Sequence, residues 1–393
     1  MSQQLINHSS DLKRLRDEGY EVEVKGGYLF IHHIPYVNSR CAVEFGTLVT
    51  VLNLLSNTQT TRPNDHIMHF IGEHPCDKDG KIIAAISYIP TPHSPAPGIE
   101  VNCSFSNKPA EGYSDYYHKV SRYADVISAP AKSMDLTVTE KTFIVVESIE
   151  EFTPFQYVDT NSSRANILNI NQRFNGQKVA IVGLGGTGAY ILDQVAKTPC
   201  AEIHILDGDD FLQHNAFRSP GAASTQQLNR KLQKVDYYHE IYSNMHKHII
   251  PHDCYLTSEN LNLLNEMSYI FICIDKNGIR KLLMDHLIMM QIPFIDVGLG
   301  VNIVGEKLIG MTRVTSATAQ KNDHLLLRIP CGEEDDNNEY RTNIQIADLN
   351  ALNAMHAVIK WKKMSGFYQD LELEHHSTYS INVAQLTNED LTA

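Results

Sequence analysis

No two of the seven cysteines (Cys41, Cys76, Cys103, Cys200, Cys254, Cys273 and Cys331) form a CxxC pair, and their number is odd. That pattern excludes a disulfide framework and a structural zinc knuckle, and it points to a reducing cytoplasm. No block of Lys or Arg occurs anywhere, and the formal charge is −13. Phosphate backbones are gripped by clustered cations, so a nucleic-acid partner is excluded. No stretch approaches the roughly 18 apolar residues that a membrane span needs. The opening segment, MSQQLINHSSDLKRLRDEGYEV, lacks the apolar core of a signal peptide. Internal repeats and low-complexity tracts are missing too. What remains is the profile of an ordinary globular chain, with 42% hydrophobic and 20% charged residues.

Its 393 residues suffice for two domains. Residues 1–150 read as an α+β domain. A short charged helix over Asp11 to Glu18 precedes the strand-like runs EVEVKGGYLFIHHI, HIMHFIGEH, KIIAAISYI and TFIVVES. Between them PTPHSPAPG is turn-rich, since four prolines exclude a helix or a central strand. Residues 151–175 read as a linker leading into a helix. From residue 176 onward the rhythm changes to strand, helix, strand: KVAIVG, GTGAYILDQVAK, EIHILD, then SYIFICID, a helix over Ile279 to Met290, PFIDVG and KLIGMTRV. That alternation predicts an α/β fold with a doubly wound, mostly parallel, Rossmann-like sheet. Near the end Ile346, Leu349, Leu352, Met355 and Ile359 fall at helical spacing, marking a long helix with a core or subunit-contact face.

The strand KVAIV runs directly into Gly183-Leu184-Gly185-Gly186-Thr187-Gly188 and then a helix. Glycines permit positive φ angles and close backbone approach, and a helix N-terminus offers free N–H groups to phosphate. The next strand ends at Asp207, at the separation where an acid meets a ribose hydroxyl in dinucleotide-binding folds. Taken alone, this would suit a nicotinamide or flavin oxidoreductase. Three further clusters argue for different chemistry. Asp207 opens an unbroken segment containing Asp209, Asn215 and Arg218; Lys234 opens the helical run KVDYYHEIYSNMH; and the strand IFICI delivers Asp275, five residues before Arg280.

With these residues in this order, the chain resembles the superfamily of ThiF, MoeB and ubiquitin-activating enzymes. The stretches SSRANI, GLGGTGAY, HNAFRSPGA and NIQIADLNALNA resemble bacterial ThiF-like proteins that carry an extra N-terminal domain and occur beside ubiquitin-like and conjugating-enzyme-like partners. The resemblance implies ATP-dependent adenylation of the C-terminal carboxylate of a ubiquitin-like protein. It implies that the backbone from Gly183 through Gly185 and Gly186 to Gly188 lies against the nucleotide, that Asp207 holds the ribose, and that Asn215, Arg218 and Lys234 grip phosphates. Asp275 would bind Mg²⁺, with Asp209 a second candidate. Arg164, in SSRANI, would reach the ATP site of a second subunit, which implies a homodimer. The family's zinc-binding CxxC pairs are missing, which favours a conjugation role over sulfur transfer. A non-catalytic nucleotide-binding scaffold is the alternative.

Conjugation-type relatives pass the acyl group to their own cysteine. Cys331, in RIPCGEEDDNNEY, is the thiol expected to accept it from a polar, accessible loop, although the acids Glu333 to Asp336 should raise its pKa. Thr315 or Ser316 would form an oxyester instead. In the N-terminal domain, Cys76 sits in a DxDG-like turn near His66, His69 and His74. A metal or nucleophile role competes there with a plain hairpin turn. From its position this domain is expected to recruit the ubiquitin-like protein or a conjugating-enzyme-like partner.

Overall fold

The computed structural model describes residues 2–56, 58–144, 153–165, 167–331 and 344–392. Among them the chain forms two compact units, Met1–Val146 with Asp159–Ala165, and Glu147–Val158 with Asn166–Ala393.

The first unit is an antiparallel sheet with helices on one face. Its strands are β1 (Glu21–Lys25), β2 (Tyr28–Val37), β3 (Val43–Val51), β4 (Ile67–Ile71), β5 (Ser87–Ile89) and β6 (Cys103–Ser106), in the order β1-β2-β3-β4-β6-β5. Leu29 and Ile31 of β2 and Leu48 of β3 turn to one face. There they meet Leu12 and Leu15 of α1 (Ser10–Asp17) and Tyr116, Val120, Tyr123 and Ile127 of α2 (Tyr116–Met134). Alternation along the strands delivers this face. α2 begins where Asp115 accepts a hydrogen bond from the backbone N–H of His118, a standard N-cap. The proline-rich stretch contributes a separate two-stranded ribbon, His93–Ala96 with Ile99–Val101. KIIAAISYI yields only β5, because Ala84 to Ile86 form a turn, and Thr142 to Ile144 adopt no strand. The rest of TFIVVES lies outside the described residues.

The second unit is built on an eight-stranded sheet. Its strands are β7 (Lys178–Val182), β8 (Glu202–Leu206), β9 (Ile249–His252), β10 (Tyr269–Ile272), β11 (Phe294–Val304), β12 (Lys307–Ala317), β13 (Glu374–Ser380) and β14 (Gln385–Leu391). The order is β9-β8-β7-β10-β11-β12-β13-β14. The first five run parallel and the last three add antiparallel, extending the doubly wound sheet along one edge. β7 is apolar on both faces. Val179 and Ile181 pack into the core shared with α3 (Gly186–Val195), α4 (Lys234–Tyr242) and α6 (Ala347–Met364), whereas Ala180 and Val182 face the core under α5 (Asn277–Met289). A strand covered by helices on both faces reads as a continuous apolar run. Chain order reverses between β7 and β10, so the crevice outside their carboxyl ends is the topological switch point where ligands bind in such sheets.

α6 buries a stripe formed by Leu349, Asn350, Asn353, Ala354, Ala357, Val358 and Trp361. The expected apolar stripe shares only Leu349 with it; Leu352 and Met355 are half-buried and Ile359 is exposed. The helix is rotated because Trp361, fully buried against Phe174 at 4.7 Å between ring centroids, is its largest anchor.

Candidate functional site

Gly183 carries a φ of +91°, and a Cβ there would come within 2.8 Å of the carbonyl oxygen of Cys273 beyond β10. Gly188 abuts the Gly183 carbonyl so closely that a Cβ would overlap its oxygen. These two glycines let the β7 turn fold tightly against the β10 end and let α3 start immediately. The cap position, Gly185, has no side chain to satisfy the free N–H groups of α3.

Asp207, 8% exposed, fastens this turn to the end of β8. Its Oδ2 accepts from the Leu184 N–H at 2.7 Å and its Oδ1 from the Asp209 N–H at 2.9 Å. Lys234, the first residue of α4, brings its ammonium to 2.6 Å from Asp209 Oδ2 and 3.3 Å from Asp207 Oδ1. α4 is held in place by the Lys234 N–H donating to the Asp209 carbonyl at 2.8 Å. Partial burial pushes the Asp209 carboxyl up. Hydrogen bonds from Lys234 and Tyr255 outweigh it, so the group lies below the usual carboxylate range. Tyr255 donates to Asp209 Oδ1 at 2.5 Å, and that anionic acceptor pushes its hydroxyl pKa up to about 12.

Asp209, Asn215, Arg218 and Lys234 line one cleft of about 410 Å³ together with Gly208, Asp210, Leu212, His214, Gln233 and Tyr255. Asn215 is buried and its Oδ1 accepts from the Leu212 N–H at 2.9 Å, fixing the short helix Gln213–Ala216. Three residues on, the buried Nε of Arg218 has no hydrogen-bond partner among the described residues. A buried, unpaired guanidinium N–H beside an open cleft is suited to an anion. Asp275 is exposed, three residues past β10, and makes no hydrogen bond or ion pair among the described residues. It does not line the cleft itself. Its neighbour Lys276 approaches one lining residue, with the ammonium 5.1 Å from the Tyr255 ring centroid.

Two further residues carry the site. Asn350 of α6 accepts from the Thr187 hydroxyl at 3.0 Å and donates to the Arg218 carbonyl at 3.2 Å, joining the glycine turn to the Arg218 loop. Tyr255 covers Gly208 and bridges Asp209 to Lys276. Asn350 had a sequence signal, a polar residue inside an apolar helical stripe, whereas Tyr255 had none.

The acyl-acceptor candidates are less open than expected. Cys331 is partly buried, with Sγ 3.9 Å from Met284 Sδ on α5. Burial, ahead of any charge, pushes its thiol up, and Arg280 pulls it back. The acids Glu333 to Asp336 lie outside the described residues. Thr315 and Ser316 are fully buried in β12 and engage the imidazoles of His376 at 2.9 Å and His375 at 3.0 Å, so neither hydroxyl is open to an acyl group. Arg164 ends the short helix Thr160–Arg164, and its side chain lies outside the described residues. Cys76 is buried with a raised thiol, His69 bonds Ser104, and His74 bonds Ser87. Asp77 to Lys81 form a tight turn around Gly80. Among the described residues no group of three or more His, Cys, Asp or Glu side chains is placed to hold a metal ion. No helix among them is long and apolar enough to cross a membrane.

A doubly wound sheet with a glycine turn after its first strand, and a cleft of mixed charge beyond the ends of β8 and β9, defines a Rossmann-like α/β protein. The model of the ThiF family matches residues 167–388, more than half of the chain, and the protein belongs to that family. A second model, described as a domain of unknown function (DUF6791), matches residues 10–160. No curated protein matches. Among solved structures, selenomethionine PaaA is 16% identical, covering 57% of this chain and 76% of that one with a TM-score of 0.46. E. coli MccB with MccA-N7isoASN is 15% identical over 60% and 72%, with a TM-score of 0.47. E. coli MccB with ATP is 15% identical over 57% and 67%, with a TM-score of 0.44. Likeness at these identities concerns the fold.

Proposed function

We propose that the protein adenylates the C-terminal carboxylate of a ubiquitin-like protein and then takes the acyl group onto Cys331 for delivery to a conjugating-enzyme-like partner. The observation that carries the reading is the cleft lined by Asn215, Arg218 and Lys234, whose lysine pairs with Asp207, the residue that fastens the glycine turn. In the reaction a carboxylate oxygen attacks the α-phosphorus of ATP, the bond to the β-phosphate oxygen breaks, and pyrophosphate leaves. Both reactants are anions, so the enzyme's task is to hold them together and neutralise them. Lys234 exchanges its two carboxylate partners for phosphate oxygens, Arg218 offers its unpaired N–H, and the N-terminal N–H groups of α3 face the α-phosphate. Asp207 keeps the turn closed and shares its carboxylate with the ribose.

Asp275 fits a Mg²⁺ that arrives with its nucleotide: an exposed carboxylate with no partner among the described residues would give this hard cation one protein ligand, leaving phosphates and water to complete the shell. The ion would neutralise charge on the phosphates. In the second step the Cys331 sulfur attacks the acyl carbonyl, AMP departs, and the thiol proton passes to solvent. Arg164 completing the site of a second subunit in a homodimer belongs to the same reading.

Exchange of labelled pyrophosphate into ATP, dependent on a ubiquitin-like protein with its C-terminal carboxylate intact, tests it. Exchange that vanishes when that carboxylate is amidated supports adenylation. ATP binding with no exchange for any such partner would leave a scaffold.

A further inference from the structure

Asp296 of β11 is fully buried, yet two arginines converge on it. Arg313 of β12 donates to its Oδ1 at 2.6 Å, and the Arg280 Nε stands 3.1 Å from its Oδ2. That second contact lacks hydrogen-bond alignment, so the pairing is coulombic. The antiparallel register explains how the cluster forms. Gly298 lies opposite Arg313, and its missing side chain leaves room for the guanidinium to cross diagonally to Asp296; a Cβ at Gly298 would stand 2.6 Å from a guanidinium nitrogen. With at most one negative charge against two positive ones, this is no ordinary buried ion pair, and desolvation makes such a cluster expensive.

Arg280 spends its remaining donors on two segments, while Arg313 reaches only the second of them and the Thr315 hydroxyl at 3.1 Å. Arg280 donates to the Ile274 carbonyl, immediately before Asp275, to Asn277 Oδ1 at 2.6 Å, and to the Pro330 carbonyl, immediately before Cys331, at 3.3 Å. Arg313 donates to the Arg328 carbonyl at 3.3 Å, three residues before Cys331. The Cys331 thiol itself rests on Met284, one helical turn beyond Arg280 on the same side of α5. A shift of the Asp275 loop therefore pulls on Arg280, and through it on the residue that fixes Cys331.

We propose that Arg280 is a positioning residue that couples the nucleotide loop at Asp275 to the segment carrying Cys331, anchored by buried Asp296 and Arg313. Nucleotide arriving at Asp275 thereby sets how exposed the Cys331 sulfur is. The consequence for acyl transfer rests on the function proposed above; the coupling itself does not require that transfer to occur.

The test uses the full chain without any protein partner. The rate of Cys331 alkylation by N-ethylmaleimide is followed by peptide mass spectrometry with and without Mg²⁺ and ATP, with the exposed Cys41 as internal control. Binding of labelled ATP is measured on the same samples. In the wild type, saturating Mg²⁺ and ATP should change the Cys331 rate about five-fold or more, the low end of ordinary coupling between sites, while Cys41 stays constant. Arg280→Gln should bind ATP but lose that response, and Arg280→Lys should recover part of it. Asp296→Asn should weaken it. A wild type that binds ATP while Cys331 remains indifferent overturns the coupling without recourse to any variant. So does an Arg280→Gln protein with an undiminished response. A wild type that binds no ATP removes the nucleotide reading instead, and the two failures are told apart by the binding measurement.

Discussion

Lys234 sits in a trap built from its own site. Two carboxylates hold its ammonium, and one of them, Asp209, is itself stabilised as an anion by Tyr255. Removing the cation leaves those anions facing the phosphates, so Lys234→Ala should lower pyrophosphate exchange by about 100-fold or more, the scale for one lost charge stabiliser. Asp275 is different because it is exposed and makes no hydrogen bond or ion pair among the described residues. Asp275→Ala should leave the melting temperature within about 2 °C, as for other exposed substitutions, yet abolish Mg²⁺-dependent exchange. Retained exchange would remove the metal assignment. At this scale the gathering of Asn215, Arg218 and Lys234 in one cleft, with Asp207 paired to Lys234, was legible because each sits at a short offset from a strand end or a helix start. The surroundings of Cys331, Thr315 and Ser316 were not. Burial against Met284 or an imidazole on β13 arises from pairing across the fold, and no local spacing encodes it.

Among elements, the β7 turn is the least tolerant. Gly188→Ala places a methyl group where the Gly183 carbonyl already stands, so either the turn or the start of α3 must move. A loss of about 2–4 kcal/mol, on the scale of forced backbone shifts, together with lost ATP binding, should appear in urea unfolding and titration. Unchanged binding would detach the turn from the nucleotide. His246, buried between Cys200 and Phe155, donates to the Cys200 carbonyl, and burial pushes its pKa down to about 4. The unfolded chain binds this proton near pH 6.5 and the folded chain only near 4. Stability from His246 is therefore complete above about pH 6.5 and drains away as pH falls toward 4. His376, likewise lowered to about 4, adds to the slope. Melting temperature should fall through that window, less steeply in His246→Asn; an equal slope would locate the acid sensitivity elsewhere. The parallel strands β7, β8, β10 and β11 were legible from their apolar runs, whereas the parallel edge strand β9, IIPH, is too short and too polar to announce itself. α2 was not, because its aromatic face and internal Pro130 imitate a broken pattern, although Tyr116, Tyr123 and Ile127 bury one clean stripe. β13 and β14 were hidden too: EHHSTYS and QLTNEDL are polar segments made into strands by pairing onto β12 and each other.

At the level of the whole molecule, the second unit ends in surface that a lone subunit has little use for. Ile303, Val304, Leu308, Ile309 and Met311 stand exposed at the far end of the β11–β12 pair, and Ile359 is exposed on α6. The hairpin residues lie on both of its faces, Ile303 and Leu308 on one and Val304, Ile309 and Met311 on the other, and exposed apolar groups of this kind are compatible with the homodimer in the proposed function. Arg164 turns that expectation into a quantitative one. If each site borrows Arg164 from the second subunit, an Arg164→Ala subunit paired with an Asp275→Ala subunit has one site with both defects and one with neither. Random reassortment of equal amounts makes half the dimers mixed, so exchange should recover to about a quarter of the wild-type value, from two proteins that are each inactive alone. If Arg164 served its own subunit, every site in the mixture would carry one defect and no activity would return. Recovery that rises with mixing time, as subunits exchange, and stops near a quarter would tie the missing residue to a shared site; a flat baseline in proteins shown to have reassorted would confine each site to a single chain.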